Sequence, residues 1–175
     1  MKLLAFAASN SSTSINKKLA TYASSLVADA DVEILDLNDY ELPLFSSDKE
    51  KELGQPPLAQ AFFDKIGGAD AVIISFAEHN GSYSAAYKNL FDWTSRINQK
   101  LFQNKPMVLL STSPGPRGGA TVLAAAVNSA PFFEGDIKAS LSVPSFHKNF
   151  DAEQGVIHNE DIKQALIDAV ATLTP

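Results

Sequence analysis

Residues 3 to 16 read LLAFAASNSSTSIN. Leu3 to Ala7 are apolar throughout, the signature of a strand covered on both faces. Ser9 to Ser14 then supply five hydroxyls and, at Asn10, one carboxamide. From Ile15 the period changes again. Ile15, Leu19, Tyr22, Ala23 and Leu26 fall at i, i+4, i+7, i+8 and i+11, one face of an α-helix. Buried strand, polar loop and amphipathic helix in that order open a βα unit. Free backbone amides and the positive end of the helix dipole face into such a loop. It reads either as a solvated helix cap or as a cup for a phosphate group.

Working outward, Val32–Leu37, Ala71–Phe76, Met107–Ser111 and Lys138–Val143 repeat the strand signal. The second of these and the third are nearly continuous apolar runs, as central parallel strands require, whereas VEILDL alternates and suits a position nearer an edge. Helical spacing fills the intervals. Tyr87, Leu90, Phe91, Thr94, Ile97 and Leu101 form one stripe, and Ile162, Leu166, Val170 and Leu173 another. Pro57–Ile66 and the alanine-rich Ala120–Phe132 are expected to be helical as well. Strand and helix alternate five times, which predicts one doubly wound α/β domain over residues 1–175, a five-stranded parallel sheet with helices on both faces. The longest irregular stretch is expected at Asn38–Gln55.

Composition narrows the partners. A net charge of -6 over 175 residues argues against nucleic acid, which needs a basic face. The chain has no cysteine, so disulfides, thiolate nucleophiles and iron–sulfur clusters are excluded. No apolar run approaches the roughly 20 residues of a membrane span, and the run after Lys2 is too short for a signal-peptide core. These features lead to an expectation of a cytoplasmic protein without a membrane partner. His79, His147 and His158 show no metal-ligand spacing, and no metal site is expected.

In an open parallel sheet, ligands bind beyond the carboxyl ends of the strands, where strand order reverses. Three loops follow the first, third and fourth strands. In the first, a phosphate could accept bonds from backbone amides, from Ser9, Ser11 and Ser14, and from the Asn16 amide. Each charge-assisted bond contributes roughly 1.5–3 kcal/mol, so several suffice without a cation. The loop has neither the glycines of a dinucleotide fingerprint nor a Walker lysine. In the second, FAEHNGSYS (residues 76–84), Asn80-Gly81 marks a tight turn that aims N–H groups outward, useful against a flat heteroaromatic ring. Glu78 and His79 sit beside it. His79 reads as a ring contact, an acid/base group or a surface residue. In the third, STSPGPRGGA (residues 111–120), Gly115, Gly118 and Gly119 allow close backbone approach to a ligand. Arg117, one of two arginines, reads as an anion contact or as a solvated charge.

ASNSSTSIN resembles the GS-x-R-x-x-S-x-N loop of the NADPH-dependent FMN reductases. AEHNGSYSAAYKNLFDW is similar to that family's PEYNGS…LKNALDW segment, and SPGPRGG to its SPG-x-x-GG loop. The similarity spans nearly the whole chain. It implies a flavodoxin-like fold, a homodimer or homotetramer, and FMN at the strand ends, with electrons passing from NAD(P)H to quinone, azo, metal-oxyanion or free-flavin acceptors. Carried over, Ser9, Ser11, Ser14, Ile15 and Asn16 hold the FMN phosphate. Glu78, His79, Asn80 and Gly81 line the isoalloxazine together with Ser113, Pro114, Gly115 and Gly118, and Arg117 meets the reducing nucleotide. The sequence departs from the pattern at Ala8 for Gly, Ser11 for Arg, Ala77 for Pro and His79 for Tyr. Flavin chemistry needs no catalytic side chain, and none is assigned; amides at Gly115–Gly119 would oppose charge on the reduced ring. Two other readings stand beside this one: a flavodoxin-type electron carrier, and a domain that serves in interaction only. The carrier sandwiches its ring between aromatics, and the loop after the fourth strand has none.

Overall fold

The computed structural model describes residues 1–174. Its centre is a parallel sheet of β1 (Lys2–Ala8), β2 (Asp31–Leu35), β3 (Ala71–Phe76), β4 (Pro106–Thr112) and β5 (Asp136–Val143) in the order β2-β1-β3-β4-β5. Strand order reverses at β1, so the switch point lies between β1 and β3. There Ala8 pairs with Phe76 and Phe76 with Ser111, which brings the three loop origins level.

Period-two alternation sends the two faces of each strand into separate cores. Leu4, Phe6, Val72, Ile74 and Leu109 pack with α3 (Pro57–Gly68), α4 (Ala85–Ile97) and α5 (Ala120–Ser129). Leu3, Ala5, Ile73 and Val108 pack against α1 (Ile15–Ser25) and α7 (Glu160–Ala171). Helices therefore cover both faces, and the expected flavodoxin-like architecture is the observed one.

Asn38–Gln55 is more ordered than its sequence pattern suggests. It contains a 3-10 turn (Leu37–Tyr40) and a helix, α2 (Ser47–Leu53). The Ser46 hydroxyl caps α2 by accepting from Lys49 N at 3.1 Å, and Gly54, at φ 68, closes it. No residue of α2 is buried, so there was no apolar period to detect. The segment is fixed to α4 instead. The Asn89 side chain accepts from Phe45 N and donates to Leu42 O and Pro43 O, while Arg96 pairs with Glu50. Trp93, on α4, is 0 % exposed within the single chain. Its indole N–H donates to Pro43 O at 2.7 Å and Phe45 packs edge-on against it.

The expected helix at Ala120–Phe132 changes at Ala130 into a 3-10 turn (Ala130–Phe133) containing Pro131, which cannot donate to the α ladder. Beyond β5, a four-residue helix, α6 (Phe146–Asn149), leads to a short antiparallel ribbon of β6 (Phe150–Asp151) and β7 (Val156–Ile157). Among the described residues no helix is long and apolar enough to cross a membrane.

Candidate functional site

The first loop is organised by its own hydroxyls. Ser9 Oγ accepts from Ser11 N at 3.2 Å, Ser11 Oγ from Thr13 N at 3.3 Å, and Ser14 Oγ, the N-cap of α1, from Lys17 N at 3.2 Å. The N–H groups of Ser12, Ile15 and Asn16 donate to no protein group among the described residues. They are the donors left for a ligand at the helix N-terminus.

Asn16 does different work from that expected of its side chain. It is 3 % exposed, and its Nδ2 donates to Thr112 O at 3.1 Å. Its Oδ1 accepts from Thr112 N at 3.0 Å and from Ser75 Oγ at 2.8 Å. The carboxamide thus locks α1 onto the ends of β3 and β4, and its backbone N–H is what remains for an anion.

The second loop forms the tight turn. Asn80 and Gly81 both have positive φ, 52 and 76, and His79 and Ser82 exchange backbone bonds at 2.9 and 3.0 Å. This is the primed hairpin geometry that Asn-Gly favours. Ser84 caps α4 and donates to Ala8 O at 2.8 Å, tying the loop to β1. Glu78 reaches 44 residues along the chain, where its Oε2 accepts from Val122 N at 2.9 Å in the first turn of α5.

The third loop is held from behind. Ser111 Oγ and Ser142 Oγ donate to Gly118 O at 2.7 and 2.9 Å, while Ser145 N and Phe146 N donate to Gly115 O and Ser113 O. Gly118 serves this packing. At φ 57, an added Cβ would lie 2.8 Å from the Val143 carbonyl. Gly115 has no such constraint, since its nearest neighbour would be Ser113 Oγ at 3.9 Å. Arg117 lies exposed at the mouth of α5, with Nη2 donating to Thr121 Oγ1 at 2.8 Å.

The loops converge on a cleft of about 230 Å³. Of the expected site residues, Ser9, Ser11, Ser14, Ile15, Asn16, Glu78, His79, Ser113 and Pro114 line it. Asn80, Gly81, Gly115, Arg117 and Gly118 do not. Thr13, Ala77 and Thr112 line it as well. Thr112 could have been found from its place at the carboxyl end of β4. No lysine or arginine lines the cleft. Lys17, beside it, is paired with Asp36, and that hydrogen bond, with a second from Asn38 N, holds the Asp36 carboxyl below its usual range. Unpaired amides at a helix N-terminus, with hydroxyls beside them, suit a phosphate held by neutral donors, so the residues fit FMN.

A flavodoxin-like sheet with a ligand cleft at its switch point defines the class. Within it, the sequence profile of the family described as NADPH-dependent FMN reductase matches residues 1–147, which include all three loops. The chain belongs to that family. It is 33% identical over 121 residues to an NAD(P)H-dependent FMN reductase of Pseudomonas aeruginosa, covering 69% of this chain and 64% of that one. It is 35% identical over 80 residues to a quinone reductase of Escherichia coli K12, a match that covers 46% of this chain and only 43% of that protein's length. A solved flavoenzyme NAD(P)H:(acceptor) oxidoreductase from Paracoccus denitrificans superposes with a TM-score of 0.77 at 24% identity, over 98% of this chain and 94% of that one. That likeness concerns the fold.

Proposed function

We propose that the protein is an FMN-dependent NAD(P)H oxidoreductase that passes electrons to small acceptors of the quinone, azo, metal-oxyanion or free-flavin classes. The observation that carries this reading is the convergence of three loops on one cleft whose α1 amides lack protein partners. The amides of Ile15 and Asn16, with the Ser9, Ser11 and Ser14 hydroxyls, would hold the FMN phosphate. The Glu78–Gly81 turn and Ser113–Gly115 would flank the isoalloxazine, which supplies the hydride-accepting chemistry when bound. Arg117, close by in the loop before α5 and exposed, would contact the phosphate of the reducing nucleotide; its bond to Thr121 is solvent-facing and readily exchanged.

The third loop contributes no aromatic side chain to the cleft, which leaves one side open to a reductant and an acceptor in turn. A ping-pong order follows, and the same openness favours a reductase over an electron carrier. A cytoplasmic location and assembly into a homodimer or homotetramer belong to the same reading. Anaerobic rapid mixing of the FMN-loaded protein with NADPH or NADH, then with a benzoquinone, tests it. Bleaching of the flavin followed by recovery with the quinone is expected. Flavin that stays oxidised in the presence of either nucleotide identifies an electron carrier instead.

A further inference from the structure

The α5 helix cannot cap itself. Its N-cap is Gly119, with no side chain to offer, and its first turn contains no acidic residue. Glu78 fills that role from another element. It leaves the end of β3, lines the cleft, and places Oε2 on Val122 N at 2.9 Å. Such a helix end carries about half a positive elementary charge, and a carboxylate carries a full negative one. The sum at this wall of the cleft is negative.

The surrounding charges do not reverse that sign. Glu78 is the one carboxylate lining the cleft, and no lysine or arginine lines it. Arg117 stands on the same helix end but is exposed, with its guanidinium turned onto Thr121. Amides of the Gly115–Gly119 loop at the start of α5 were expected to favour negative charge on a bound ring. The structure seats a carboxylate just beyond them, on Val122 N.

We infer that Glu78 is a positioning residue that keeps the reduction potential of the bound flavin low. The inference rests on the FMN reading above. A hydride from NAD(P)H delivers two electrons and one proton to the neutral oxidised ring, leaving NAD(P)⁺ and a ring with one negative charge unless a second proton arrives from solvent. A carboxylate in the wall of a partly dehydrated cleft opposes that charge. The reduced form is therefore held less tightly than the oxidised form, and electrons pass more readily to weakly oxidising acceptors.

Glu78→Gln separates charge from geometry, because the carboxamide oxygen can still accept from Val122 N. In spectroelectrochemical titration of the FMN-loaded proteins, the variant's midpoint should move positive by about 30 mV or more. That shift corresponds to about tenfold tighter holding of reduced over oxidised flavin for a two-electron couple. Equal midpoints in two proteins that both bind FMN overturn the inference and leave the FMN reading intact. Failure of the wild-type protein to bind FMN overturns both. Should the glutamine variant not fold, Glu78→Ala removes the same charge from the same wall. Its midpoint should also move positive, and an unmoved midpoint overturns the inference.

Discussion

Asn16 and Thr112 lie 96 residues apart and exchange two hydrogen bonds, Nδ2 to Thr112 O at 3.1 Å and Thr112 N to Oδ1 at 3.0 Å. The pair mimics one rung of a sheet. It joins the start of α1 to the last residue of β4, and Ser75 Oγ adds a third bond at 2.8 Å from β3. Each of these residues is at most 3 % exposed. Asn16→Ala would leave the Thr112 amide, the Thr112 carbonyl and the Ser75 hydroxyl without that partner. Orphaned buried groups cost about 1–3 kcal/mol each. We expect a loss of about 3 kcal/mol or more, read as a fall in the urea midpoint with an unchanged m-value. A midpoint within error of wild type would show that the staple is dispensable.

The glycines of the third loop separate into two kinds. At Gly118 a methyl group would meet Ser142 Oγ at 2.5 Å and the Val143 carbonyl carbon and oxygen at 2.8 Å, on a backbone at φ 57. Backbone atoms cannot yield, so Gly118→Ala should cost about 2 kcal/mol or more. Gly115→Ala meets nothing closer than 3.9 Å and should melt with the wild-type protein. Its affinity for FMN should nevertheless fall, because Ser113–Gly115 would flank the isoalloxazine. Thermal melts and flavin titrations of the two variants check both halves.

Tyr87 provides a pH signature. Burial against Phe76, Tyr83 and Phe91 pushes its hydroxyl well above the ordinary tyrosine value of 10.0, with Tyr83 adding to the shift. A group whose folded pKa is raised stabilises the protein fully below the unfolded value and loses that contribution as pH rises toward the folded one. Stability should therefore decline from about pH 10 upward. Tyr87→Phe has no proton to release, so its alkaline decline should be shallower, while its neutral-pH stability changes little. Parallel alkaline curves in urea unfolding would contradict this.

How much of this was legible depended on where each residue's partners lie along the chain. β1, β3 and β4 are nearly continuous apolar runs, and the Asn80-Gly81 turn is a local property of two residues, so both could be read directly. The convergence of Ser9, Glu78 and Ser113 followed from topology, because a parallel sheet aligns the ends of its strands. The uses of Asn16 and Glu78 side chains did not. Their partners, Thr112 and Val122, are 96 and 44 residues away, and a carboxamide or carboxylate beside a ligand loop reads equally well as a ligand contact. The burial of Trp93 was hidden for a related reason. Its cover comes from Pro43 and Phe45, in a stretch with no apolar period to announce that it packs. The two-residue strands β6 and β7 are too short for any periodicity.

The central claim is that neutral donors of the first loop hold a flavin by its terminal phosphate. Calorimetric titration of the flavin-free protein with FMN and with riboflavin, which differ only in that phosphate, tests it most directly. Loss of two charge-assisted bonds at about 1.5 kcal/mol or more each corresponds to about a hundredfold in affinity. The account predicts one FMN per chain and riboflavin weaker by about that factor, with the preference abolished in Ser14→Glu, whose added carboxylate repels the phosphate. Equal affinity for FMN and riboflavin, or an unchanged FMN preference in Ser14→Glu, would contradict it.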